Sequence, residues 1–280
     1  MLWRGQRESS NVEDRRSFGG MGTKIAGGGI GSIILYVVIT FLGGGNPLDI
    51  LNQSSEPTIQ TPVAAQRDDE AAAFVKVVLA DCEDIWHAQF AKMGKDLREP
   101  HLVLFRRATQ SACGNASSAS GPFYCSEDER IYIDLSFYDE LHTKLGAPGD
   151  FAMAYVVAHE FGHHIQKLTG VLAQVHNKES QLGGSQGNKL SVRLELQADF
   201  YAGVWANHAQ EMKKILEPGD IDEALNAASA VGDDRLQKQS QGYIVPDAFT
   251  HGSSAQRMYW FKKGYETGDV KQGDTFNSSM

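Results

Sequence analysis

His159 and His163 stand one helical turn apart in the stretch Ala158-His-Glu-Phe-Gly-His-His-Ile-Gln166. Residues four apart share a helix face, so both imidazoles can reach one metal ion while Glu160 projects beside them. This is the HExxH pattern, in which two histidines hold Zn²⁺ and the glutamate serves as general base. Zinc held by three protein ligands keeps a fourth position for water and lowers its pKa to about 7, where a neighbouring carboxylate can take the proton. The chemistry implied is hydrolysis of an amide, and it requires a third ligand.

The run Arg193-Leu-Glu-Leu-Gln-Ala-Asp199 offers one. Glu195 and Asp199 also share a helix face, among Leu194, Leu196, Ala198, Phe200 and Tyr201. A carboxylate buried without a partner costs several kcal/mol, whereas one bound to zinc, or accepting the second N–H of a zinc-bound histidine, is compensated. Glu195 is therefore the expected third ligand and Asp199 its orienting companion; a solvated acidic face is the plainer alternative. A metzincin would place Gly and His third and sixth after His163, where this chain has Gln166 and Thr169. For the donor that steadies the tetrahedral oxyanion, His251 in a Thr-His-Gly turn is the first candidate, with Tyr132 and Tyr243 behind it. His164 points about 100° off the metal face and reads as a core or supporting residue.

The elements that must position these groups can be read in order. A helix capped by Asp68 and Asp69 runs to Gly94, with Phe74, Val77, Val78, Ile85, Trp86 and Phe90 at helical spacing. His87 on it reads as a surface residue and Cys82 as a small core residue. His101–Phe105 and Arg130–Leu135 read as strands around a loop bounded by Cys113 and Cys125. A strand bordering the metal helix could pair with an extended substrate. The metal helix is bounded by Asp150 as N-cap and Gly170 as stop. Gln174–Lys189 reads as a polar surface excursion, Leu190–His208 as the second site helix, and Asp220-Ile-Asp-Glu223 as a capping box opening a third. Ser253 with Gln256 opens the last helix, and the polar tail from Gly268 is expected to fray. The class is α+β, mostly helical with a small sheet.

Composition narrows the function. A formal net charge of −9, carried after the basic-leaning first 45 residues, argues against nucleic acid as partner. Three cysteines permit one disulfide, and Cys113 and Cys125 flank a Gly/Ser/Ala-rich stretch that could close it in an oxidising compartment. Ile25–Leu42 is free of charge and just long enough to cross a bilayer, with positive charge before it. The expected layout is a cytoplasmic N-terminal segment (1–24), one transmembrane helix (25–43), a linker (44–67), a catalytic domain (68–268) outside the cytoplasmic membrane, and a flexible tail (269–280). A cleaved signal peptide and a buried glycine-rich helix are the alternatives for 25–43.

The chain also resembles the bacterial neutral zinc metallopeptidase family. The resemblance is carried by Trp3-Arg4-Gly5-Gln6-Arg7, Ser10 to Arg16, Gly121-Pro122-Phe123-Tyr124-Cys125, His159 to Gln166, Glu195 to Gly203 and Phe249-Thr250-His251-Gly252. It implies a membrane-anchored, zincin-like domain with His159 and His163 as Zn²⁺ ligands, Glu160 as catalytic residue, and peptides or proteins as substrates. Two other functions stand against this reading: a zinc-stabilised envelope scaffold that cleaves nothing, and a hydrolase of nonpeptide amides.

Overall fold

The computed structural model describes residues 1–16, 62–117 and 120–278. The described elements, in chain order, are β1 (Val12–Asp14), α1 (Pro62–Lys92), β2 (His101–Phe105), β3 (Ala108–Ser111), β4 (Gly114–Ser117), β5 (Phe123–Cys125), β6 (Arg130–Asp134), α2 (Ser136–Thr143), α3 (Asp150–Thr169), α4 (Val171–Leu182), α5 (Gly184–Lys213), α6 (Asp220–Ala230), α7 (Asp233–Gln241) and α8 (Ser254–Thr267). Short 3₁₀ turns lie at Pro246–Ala248 and Val270–Gln272. The class is α+β, helix-rich with small sheets, as composition and periodicity suggest.

The main sheet has the order β1-β2-β6-β5, parallel from β1 to β6 and antiparallel at β5. β6 is thus paired on both sides, and the strand expected to offer a free edge near the metal helix cannot do so. The free edge on that side is β5, which the sequence reading placed at the end of a loop. Its Cys125 is disulfide-bonded to Cys113, just before β4 of the β3–β4 hairpin.

Helix α3 is buried along nearly its whole length, packed on α1, α5 and α6. Its small residues set how close the neighbours come. At Gly162 a Cβ would lie 3.1 Å from the Ala198 backbone on α5, so any side chain there would push the two helices apart. α5 and α8 cross more closely still, since a Cβ at Gly203 would meet the Phe261 carbonyl at 2.0 Å and one at Gly264 the Phe200 carbonyl at 2.1 Å. The capping box at Ser253 and Gln256 forms as expected and fixes the start of α8.

Several expected boundaries move. Residues 1–16, expected to form a segment separate from the catalytic domain, are built into the body: Val12, Glu13 and Asp14 pair with Leu102, Val103 and Leu104. Arg7 meets Glu83 and Asp84 on α1, and the Met1 ammonium is buried against Asp150 and Asp220. The β1–β2 ladder sets residues 1–16 against the body, whereas a single membrane crossing between residue 16 and α1 would separate the two strands. Residues 25–43 themselves lie outside the described residues; among the described ones no helix is long and apolar enough to cross a membrane. α1 begins at Pro62, inside the expected linker, where proline's fixed φ and missing N–H suit a first turn. Gln174–Lys189 is mostly helical, broken at Gly183 and Gly184, which adopt positive φ. Gly149 rather than Asp150 is the N-cap of α3. The box at Asp220 does not form, because Glu223 instead accepts the Phe151 N–H and Asp220 the Glu217 N–H and the Met1 ammonium. The tail is ordered to residue 278: Thr275 is fully buried and its carbonyl accepts from Arg193.

Candidate metal centre and its supporting residues

The close α3–α5 crossing brings Glu195 to the two imidazoles. One donor atom each from His159, His163 and Glu195 lies within 4.8 Å of the others, close enough to hold one metal ion. Glu195 Oε2 is 3.1 Å from His159 Nε2, and Oε1 is 3.5 Å from His163 Nε2. Glu160, at 8% exposure, sits on the same helix between the two histidines.

Each ring is held so that its Nε2 faces this cluster. Nδ1–H of His159 donates to Asp199 Oδ1 at 2.8 Å, and Nδ1 of His163 lies 2.9 Å from Gln166 Oε1. Gln166 is itself fixed, donating to the Leu194 carbonyl on α5 and to Gln197. Hydrogen-bonded outer nitrogens of this kind set tautomer and orientation in metal-holding histidines. His164 lies outside the cluster: Tyr124 OH donates to its Nδ1 and its Nε2–H donates to the Arg98 carbonyl, which pins α3 to β5 and to the chain before β2.

The charges suit a divalent cation. Burial raises Glu160; burial would also raise Glu195, but His163 and His159, with a contribution from His251, hold it well below the ordinary carboxylate range. Burial pushes Asp199 up too, and the Arg257 guanidinium and His159 reverse this, bringing it down to about 2. Three buried carboxylates therefore meet one permanent cation, Arg257. Buried carboxylates thus outnumber buried permanent cations, an excess that a divalent ion would balance. Burial lowers His159, yet Asp199 and Glu195 raise it to about 9, and His163 is raised as well by Glu195 against burial. Two neutral imidazole nitrogens and a carboxylate around a divalent ion are a zinc donor set.

Arg257 is a residue that sequence reading missed. It lies on α8, 58 positions from Asp199, and binds both of its oxygens. Tyr155 OH donates to the same Asp199 Oδ1 at 2.5 Å. Only the helical phase of Tyr155, one turn before His159, could have signalled it.

His251 is buried beside the site. Asp233 orders the whole turn: its Oδ2 accepts the N–H groups of Thr250, His251 and Gly252, and Oδ1 lies 3.2 Å from His251 Nδ1. Gly252, with φ of 99°, lies against Val192 and Leu196 of α5, one turn from Glu195. The other two oxyanion candidates are displaced. Tyr132 OH is committed to Asp128 within a separate cluster, and Tyr243 is 62% exposed.

Residues 1–276 match the family described as "Putative neutral zinc metallopeptidase", and the chain belongs to that family, which implies Zn²⁺ as its cofactor. The chain is 49% identical over its full length to "Uncharacterized protein YpfJ" of Escherichia coli strain K12, itself covered completely. It is 48% identical to "Uncharacterized protein Mb2605" of Mycobacterium bovis over 190 residues, 64% of this chain and 63% of that one. No solved structure matches.

Proposed function

We propose that this chain hydrolyses internal peptide bonds of peptides or proteins with Zn²⁺ held by His159, His163 and Glu195. The observation that carries the reading is the convergence of those three donors while Asp199 and Gln166 hold the outer nitrogens of the two rings. Bound Zn²⁺ supplies a Lewis acid that polarises a carbonyl and acidifies a water. Glu160 takes a proton from the attacking water onto one carboxylate oxygen and passes it to the leaving nitrogen; burial raises its proton affinity, as that role needs. His251, its Nδ1 directed at Asp233, offers Nε2 to the developing oxyanion. The free edge of β5 is the strand available to an extended substrate backbone.

Attachment to a membrane through Ile25–Leu42 belongs to the same proposal, with residues 1–16 and 62–278 on one side of it. The Cys113–Cys125 disulfide supports an oxidising, extracytoplasmic side. The test is cleavage of an unstructured protein such as casein by zinc-loaded wild type and Glu160→Gln. The variant should keep its zinc and lose at least about 100-fold in rate; equal cleavage by both would remove Glu160, and cleavage by neither would favour a scaffold.

A further inference from the structure

We propose that Arg257 is a positioning residue for the zinc centre, acting through Asp199 to hold the ring of His159; the proposal rests on His159 being a zinc ligand. Asp199 is wholly buried and every contact of its carboxylate is directional. Oδ1 accepts from His159 Nδ1–H at 2.8 Å, Tyr155 OH at 2.5 Å and Arg257 Nη2–H at 2.9 Å, and Oδ2 accepts Arg257 Nε–H at 2.8 Å. The guanidinium is therefore a two-pronged fork on the carboxylate, a geometry that fixes its plane as well as its charge. Arg257 Nη2 also donates to Tyr155 OH at 3.1 Å, and Nη1 to the Val231 carbonyl at the end of α6 at 3.3 Å.

The fork is in turn held by the fold. Arg257 is 4% exposed, in the first turn and a half of α8, directly after the capping box at Ser253 and Gln256. The Gly203–Gly264 crossing keeps that helix against α5, where Asp199 lies. α3, α5, α6 and α8 thus converge on one carboxylate whose remaining task is to aim the Nε2 of His159. Without the fork, only Tyr155 and the ring of His159 itself would touch Asp199, and a buried carboxylate lacking its counter-ion would no longer fix that ring.

The experiment uses the full chain and four variants: Arg257→Lys, which keeps the charge and removes one prong; Arg257→Met; Asp199→Asn; and Arg257→Met combined with Asp199→Asn. Zinc affinity is measured by competition with a chromophoric chelator, and the visible spectrum of the Co²⁺-loaded chain reports ligand geometry. Arg257→Lys should bind zinc about 10-fold more weakly and Arg257→Met about 10- to 100-fold, the range for losing outer support of a ligating histidine. Both should shift the Co²⁺ bands. In the double variant the loss should not exceed that of the worse single change, because both act through one carboxylate. Arg257→Lys is the fallback if the methionine variant does not fold. Wild-type zinc affinity with an unaltered Co²⁺ spectrum in Arg257→Lys, or losses that multiply in the double variant, would overturn the proposal. Failure of the wild type itself to take up zinc would instead overturn the zinc centre on which it rests.

Discussion

His163 and Gln166 lie three residues apart on one helix, and the ring Nδ1 meets the amide oxygen at 2.9 Å, while the amide nitrogen reaches across to the carbonyl of Leu194, next to Glu195. One side chain thereby ties the second histidine to the helix that carries the third ligand. Gln166→Met keeps the volume and removes both links. It should weaken zinc affinity about 10- to 100-fold, read by chelator competition; an unchanged affinity would leave Gln166 a packing residue.

Gly162 sets the distance between α3 and α5. A valine there would drive into the Ala198 backbone, already 3.1 Å from the position of a Cβ. Overpacking of this kind costs about 1–3 kcal/mol. Because the shift separates Glu195 from the histidines, zinc affinity should fall together with melting temperature in Gly162→Val. A variant that melts lower but binds zinc normally would show that the crossing does not set the site.

The pH dependence of the metal-free chain has a definite sign. His159 is raised to about 9 from its ordinary 6.5, since the carboxylates of Asp199 and Glu195 outweigh burial. Its contribution to stability is fully present below about pH 6.5 and is lost as pH rises through about 9. Melting temperature without zinc should therefore decline between those values. Zinc must displace that proton, so its uptake near pH 7 should release protons and tighten towards pH 9. Proton release measured with an indicator dye checks this; zinc uptake without release would contradict it.

The pairing of β1 with β2 makes topology measurable. Gln6 and Lys271 are both exposed, Cys82 is buried, and the other two cysteines are joined. In intact cells a membrane-impermeant maleimide should therefore label Gln6→Cys and Lys271→Cys alike, or neither. Labelling of only one would mean that the β1–β2 ladder does not form in the membrane-associated chain.

The parts of the site that could be read in the sequence were those encoded within single helices. The four-residue spacings of His159 with His163 and of Glu195 with Asp199 needed only helical geometry, and the burial of these residues together follows from the apolar faces around them. What could not be read depends on contacts between distant segments. β1 is a three-residue polar strand, Val-Glu-Asp, with no periodicity of its own, and it exists because β2 offers an edge 90 positions away in register. Arg257 looks like any exposed helical arginine until α8 crosses α5. Polar helices such as α4 and α7, each burying only two residues, carry too little apolar pattern to stand out. The Asp220 box failed for a related reason, since its carboxylates found partners at Met1 and Phe151 instead of their own helix start.

The most direct test of the centre is a zinc-edge anomalous difference map from crystals of the zinc-loaded chain. The expected result is one peak within about 2.0–2.2 Å of His159 Nε2, His163 Nε2 and a Glu195 oxygen. A peak that lacks Glu195, or one held by Asp199 or His251 instead, would contradict it.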